Sequence, residues 1–251
     1  MNKNKTVVRS MDILNLFIEH EQLTFQEIID LSGIPKTSVY RMLKSLEEMA
    51  FLEKGEDNYY RLGLLFLKFG TLVSDRLDLR QIAYPIMKEL HVDVEEAVNL
   101  IILQDEEAMY IEKIDKKQKV RLYTGVGRKA PLYAGACSRV ILSFMDDQSV
   151  KEYIQNTTLQ PYAEGTITDK QKLYQSIEET RKKGYTISYA ELQNHSAAVA
   201  APIFDCTGKV IAGLSVAGIE MNYKGENATF FAKKVMEKAA EISERLGYTK
   251  N

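Results

Sequence analysis

Between Val7 and Gly70 apolar side chains recur at helical spacing in short runs, each closed by turn-forming residues. Met11, Leu14, Phe17 and Ile18 predict a first helix with one buried face, and the polar run from Glu19 to Gln22 ends it. Thr24-Phe25-Gln26-Glu27 has the form of a capping box, in which the Thr24 hydroxyl and the Glu27 carboxylate satisfy the bare N–H groups of a helix start. A second helix begins there and carries Ile28, Ile29 and Leu31. Gly33 stops it, because glycine enters positive φ at little cost, and Pro35 suits the first turn of the next helix, where a missing N–H goes unmissed. In that third helix Val39, Leu43 and Leu46 fall at i, i+4 and i+7, which turns Thr37, Ser38, Tyr40, Arg41, Lys44 and Ser45 outward.

The period then changes. Phe51-Leu52-Glu53-Lys54 and Tyr59-Tyr60-Arg61-Leu62 read as two short strands around the turn-rich tetrad Gly55-Glu56-Asp57-Asn58. Two helices meeting at a tight turn, followed at once by a hairpin, predict a winged helix-turn-helix. Leu62, Leu65, Phe66, Phe69, Leu72 and Val73 then form an apolar stripe on a linker helix, suited to burial against a partner chain or the rear domain.

The remainder alternates strand and helix patterns. Ala97 to Leu103 and Ala108 to Ile114 are strand-like runs joined by Gln104-Asp105-Glu106-Glu107, and Val120 to Tyr123 adds a third strand. Thr168-Asp169-Lys170-Gln171 resembles another capping box, opening a helix that runs to Lys183 and stops at Gly184. Ala197 to Phe204 and Val210 to Ala217 flank Asp205-Cys206-Thr207-Gly208-Lys209 as a second hairpin, and a last helix spans about Asn227 to Leu246. Such a domain is α+β, and a sheet face with covering loops can enclose a small molecule.

Charge changes the picture of the front domain. The formal net charge of the chain is -2, and the first 74 residues hold nine Lys/Arg against ten Asp/Glu, so any grip on DNA comes from local placement. Lys36 to Leu46 supplies it, with Lys36, Arg41 and Lys44 and no acid before Glu47. Arginine can bond two acceptors on a guanine edge, while Ser, Thr, Tyr and Lys commonly meet phosphates. The wing tip carries Glu56 and Asp57, which phosphates repel, leaving Lys54 and Arg61 as the wing's contacts.

Other chemistry is sparse. Cys137 and Cys206 are too few for a disulfide framework and sit among small or apolar residues, which predicts buried free thiols. Glu191 and His195 are spaced i, i+4, yet they fall in a loop pattern, where that spacing does not pair side chains. Gly125-Val126-Gly127-Arg128 is a fragment of a phosphate loop without its Lys-Ser/Thr ending, though Arg128 could pair with an acidic ligand. Neither metal nor cofactor is expected. No stretch approaches a membrane span and the first residues lack the apolar core of a signal peptide, which predicts a cytoplasmic protein.

Pro131 to Arg139 turns into a helix near Ala134, and Ala134, Gly135 and Ala136 are small enough for backbone N–H groups to approach an anion. The same residues also suit close helix packing, and the sequence leaves both readings open.

The order of these segments resembles the IclR family of bacterial transcription regulators. The resemblance lies in Val8-Arg9-Ser10-Met11-Asp12-Ile13-Leu14, the run LTFQEIIDLSGIPKTSVYRMLKSLEEMAFLEK with YRLGLLFLKFG behind it, and three later segments at 79 to 100, 128 to 145 and 181 to 218. It implies a winged helix-turn-helix over residues 1–62, a linker helix over 63–78, and a GAF-like α/β domain for effector binding and oligomerisation over 79–251. It further implies a DNA-binding regulator, more readily a repressor, that binds double-stranded operator DNA as a homodimer or homotetramer under control of a small carboxylate effector. The implied DNA contacts are Lys36, Thr37, Ser38, Tyr40, Arg41, Lys44, Ser45, Lys54 and Arg61; the implied effector contacts are Ala134, Gly135, Ala136, Ser188, Glu191, Ala198, Ser215 and Ala217. Ala198 and Ala217 stand where several relatives carry Cys and Ser, and Ser188 where Asp is common, so the implied ligand is a larger or partly apolar acid. The alternative is an enzyme acting on a small acid with the winged helix as a protein-docking module; no nucleophile elbow, metal cluster or phosphate loop speaks for it.

Overall fold

The computed structural model describes residues 4–74, 78–115 and 125–249. The chain divides into two compact units, Met1–Arg76 and Leu77–Asn251.

In the first unit, helix α1 (Lys5–Leu16) starts at Asn4, whose side chain accepts the N–H groups of Thr6 and Val7. Its buried stripe is Ile13, Leu14 and Phe17, whereas Met11 and Ile18 are 48% and 71% exposed. The expected face is therefore rotated, because neighbouring helices cover only a narrow stripe of α1 and Ile13 takes the covered position. Strand β1 (Leu23–Thr24) leads into α2 (Phe25–Ser32), and Thr24 and Glu27 form the expected reciprocal capping box. Gly33 ends α2 in the left-handed region at φ 63°. Pro35 sits one position earlier than expected, at the N-cap of α3 (Lys36–Glu48), where its carbonyl accepts the N–H groups of Ser38 and Val39. Val39, Leu43 and Leu46 bury the inner face of α3.

Strands β2 (Leu52–Lys54) and β3 (Tyr59–Leu62) form the wing, and β1 joins its other side in the order β1-β3-β2. Gly63 passes so close to the Ala50 carbonyl that a Cβ there would lie 2.2 Å from its oxygen. Helix α4 (Leu65–Ser74) follows, with Phe66 packed onto the winged-helix core and stacked edge-on against Phe51. Of the expected stripe, Leu62, Phe69 and Leu72 are exposed within the chain. The Val73 side chain lies outside those described.

Among the described residues the second unit is one six-stranded antiparallel sheet covered on both faces. After α5 (Asp78–Val94) come β4 (Ala97–Gln104), β5 (Glu107–Ile114) and β6 (Lys129–Pro131), then α6 (Ala136–Phe144), α7 (Asp147–Asn156) and α8 (Lys170–Lys183). β7 (Thr186–Tyr189), β8 (Ser196–Phe204), β9 (Val210–Ile219), a short 3-10 turn (Glu220–Tyr223) and α9 (Glu226–Arg245) complete it. The strand order is β6-β5-β4-β9-β8-β7. The expected third strand at Val120 to Tyr123 lies outside the described residues.

Strand alternation sorts the side chains. Val199, Ala201, Leu214 and Val216 face α5 and α9 in one core cluster, which leaves Ala198, Ala200, Ser215 and Ala217 for the face covered by α6. Gly213 allows α6 to press onto β9, since a Cβ there would lie 2.8 Å from the Cys137 carbonyl oxygen. At α8 the cap is Asp169, not Thr168: the Asp169 side chain accepts the Lys172 N–H at 2.8 Å. Gly184 ends the helix in the left-handed region. Cys137 is buried as expected, but Cys206 is exposed because the β8–β9 turn that holds it projects from the sheet. No helix among the described residues is long and apolar enough to cross a membrane.

Candidate functional site

The outer face of α3 is built by what its inner face buries. With Val39, Leu43 and Leu46 inward, Lys36, Thr37, Tyr40, Arg41, Lys44 and Ser45 are exposed and Ser38 is half-buried. Tyr40 stands 61% exposed with its ring edge-on to Phe25, so its position is set by α2. Lys44 makes only a long contact of 3.9 Å with Glu48, and both side chains are well exposed, a pairing of little worth.

The wing differs from expectation in one respect. Arg61 is committed within the wing: its guanidinium forks onto both carboxylate oxygens of Asp57, at 3.2 and 2.5 Å, and also reaches Gln22. The Arg61 hydrogen bond holds the Asp57 carboxyl below its ordinary range. Asp57 is thereby neutralised, and Lys54, set 5.6 Å from the centroid of the Tyr60 ring, is the wing cation outside that network.

The second unit encloses a cavity of about 60 Å³ where the N-terminus of α6 meets β4, β9 and β8. That is roughly four to six times the room one water needs. Gly135, Ala136, Ser188, Glu191, Ala198, Ser215 and Ala217 all line it. Ala134 does not; it is fully buried in the core beneath α6. The sheet register explains the gathering: Ser188 pairs with Ala198 and Ala198 with Ala217, while Ser215 stands between Ala200 and Asn99.

Sequence reasoning missed Asn99, Tyr110, Cys137, Leu192, Gln193 and Ser196, and Arg128 proves to be a lining residue as well. Asn99 was the one available signal, a lone amide in the apolar run from Ala97 to Leu103. It is 1% exposed and its Nδ2 donates to Ser215 Oγ at 3.4 Å. Cys137 lies against the sheet with its thiol pushed up to about 12 by burial, so it is a neutral lining group. His195 is exposed in its loop and is not among the lining residues. Gly125 to Arg128 is a turn entering β6 and opens no helix. No cluster of potential metal ligands occurs among the described residues.

The helix N-terminus is partly committed. The Ala134 N–H donates to the Pro131 carbonyl at 3.3 Å, the Gly135 N–H to Glu191 Oε2 at 2.8 Å, and the Ala136 N–H to Ser188 Oγ at 3.0 Å. The donors left over are one step further in: the N–H groups of Cys137 and Ser138 have no acceptor among the described residues. Behind them Arg139, 2% exposed, forms a buried ion pair with Glu191 and donates to the Ile187 carbonyl at 2.9 Å and the Thr186 hydroxyl at 3.3 Å. Of these two only Cys137 lines the cavity, and its bare N–H at the positive end of a helix, with Arg128 also on the wall, suits one small anion.

A winged helix-turn-helix with one cationic helix face, joined to an α+β domain that holds a cavity with a few polar groups on its wall, defines a transcription regulator carrying its own sensing domain. Comparison with known proteins agrees. Residues 6–56 match the model of the IclR helix-turn-helix domain, and residues 71–244 that of the bacterial transcriptional regulator IclR C-terminal domain. The HTH-type transcriptional regulator KipR of Bacillus subtilis is 51% identical over 99% of each chain. The HTH-type transcriptional regulator KdgR of Escherichia coli is 28% identical, covering 97% of this chain and 93% of its own. The crystal structure of the Thermotoga maritima IclR superposes with a TM-score of 0.83 at 29% identity, covering 97% of this chain and 99% of that one. The chain belongs to the IclR family of bacterial transcription regulators. It is a DNA-binding regulator and not an enzyme.

Proposed function

We propose that this regulator represses transcription from a two-fold symmetric operator, gripping one half-site with each α3 of a homodimer or of paired dimers in a tetramer, and that a compact organic acid in the cavity changes this grip. The observation that carries the reading is the α6 N-terminus: the bare Cys137 N–H and the Ser188 hydroxyl give polar anchoring points, with Arg128 also on the wall, in a cavity otherwise lined largely by apolar groups. Lys36, Arg41, Lys44 and Lys54 supply the cationic contacts, and Thr37, Ser38, Tyr40 and Ser45 the neutral ones. Arg61 takes part only by exchanging Asp57 for phosphate.

Pairing of chains has its own support. Leu64, just ahead of α4, and Leu67, Phe69 and Leu72 on it are apolar and exposed, at 46% to 73%. Four cations per chain are also a modest grip, and two linked sites act at high effective concentration where one does not. Native mass spectrometry of the full chain tests both parts. The expected spectrum shows a dimer or tetramer carrying a small acid released on unfolding. A monomer that binds DNA, or an oligomer that accepts no acid from a panel of small carboxylates, would refute the corresponding half.

A further inference from the structure

The helix end of the cavity already holds an anion. Glu191 is 5% exposed, and its Oε2 accepts both the Gly135 N–H and the Arg139 guanidinium. Its other oxygen, Oε1, accepts nothing among the described residues, although Glu191 lines the cavity. An ionised carboxylate only accepts, so the remaining oxygen of this nearly buried residue is matched by a guest that donates. Glu191 is poorly placed to turn away. Arg139, which holds it, is itself fixed by the Ile187 carbonyl and the Thr186 hydroxyl, and the Glu191 carbonyl accepts the Thr166 hydroxyl. A guest carboxylate beside Oε1 would meet a like charge at short range, whereas a hydroxyl or amine there would donate to it.

Ser188 fits the same division of labour. Its Oγ accepts the Ala136 N–H, so its own O–H remains to donate. The cavity therefore offers donors for an acid group and one negatively charged acceptor for something else.

We propose that Glu191 is the specificity-determining residue of the cavity, its Oε1 selecting an acid that also carries a hydrogen-bond donor, such as a hydroxyl or amine, over the same acid without one. This rests on the small-acid reading of the cavity given above.

The test is isothermal titration calorimetry of the full-length protein with matched acids that differ only by a hydroxyl: glycolate against acetate, lactate against propionate, 2-hydroxybutyrate against butyrate. Wild type is expected to bind the hydroxylated member of at least one pair about tenfold or more tightly than its partner, as a hydrogen bond to a charged group allows. Glu191→Gln keeps a carbonyl for the Gly135 N–H but replaces the free acceptor by a donor, and is expected to shrink the preference to about threefold or less. Equal binding of both members by wild type, or a preference that survives in a folded Glu191→Gln protein, overturns the proposal and leaves the small-acid reading standing. Binding of none of the six acids overturns that reading and the proposal with it. If Glu191→Gln does not fold, the wild-type pairs still decide.

Discussion

Arg41→Ala removes one guanidinium from a proposed reading face that has few cations to spare. Lys36, Arg41 and Lys44 on α3 and Lys54 on the wing are the exposed cations of the proposed DNA-reading surface, while Arg61 is held by Asp57. Two half-sites give at most eight phosphate contacts, hence a slope of log affinity against log salt no steeper than about -7. If Arg41 reads a guanine edge, its loss costs about 1–3 kcal/mol at each half-site, relaxes preference at one base pair there, and leaves the salt slope alone. Lys44→Ala is expected to do the reverse, weakening all sequences alike and lowering the slope by about 1 per half-site. Fluorescence anisotropy on an operator recovered by in-vitro selection, repeated over a range of salt, separates the two. Unchanged affinity and unchanged sequence preference in Arg41→Ala would mean that α3 does not read DNA.

Further outcomes follow from the second unit. In the native protein one thiol, Cys206, should react with Ellman's reagent and Cys137 only after unfolding, because Cys137 is buried. The raised Cys137 value makes its contribution to stability complete below pH 9 and lost as pH climbs toward 12, so the thermal midpoint should fall across that range for wild type and less for Cys137→Ala. Gly165→Ala places a Cβ 1.9 Å from the Tyr189 carbonyl oxygen, a clash with backbone that should cost about 1–3 kcal/mol in denaturant unfolding; a change within error would contradict the packing around Glu191.

Local chemistry made the front domain readable in advance. The Thr24–Glu27 capping box, the left-handed Gly33 and the Val39, Leu43, Leu46 spacing are each decided within a few residues, and each appears in the structure. Met11 and Ile18 misled because periodicity gives a face without saying which neighbour covers it. The cavity was legible only in part for a related reason. Asn99 joins Ser215 because β4 pairs with β9 across more than a hundred residues of chain, a pairing no local pattern announces. Arg139 ran against the ordinary exposure of arginine, yet every residue from Ala136 to Ser143 is buried, and only the fold's supply of Glu191, the Ile187 carbonyl and the Thr186 hydroxyl makes that tolerable.

The central claim is that occupancy of the cavity sets the grip on DNA. Its most direct test is the operator dissociation constant of the full-length protein, measured with and without a saturating dose of the tightest-binding acid. The account predicts a change of about 5- to 150-fold, the usual range of coupling between two sites. It also predicts that the change disappears in Ala217→Leu, whose added bulk enters the cavity, while affinity for DNA in the absence of acid is kept. An acid that demonstrably binds the wild-type cavity and yet leaves operator affinity unaltered would contradict it.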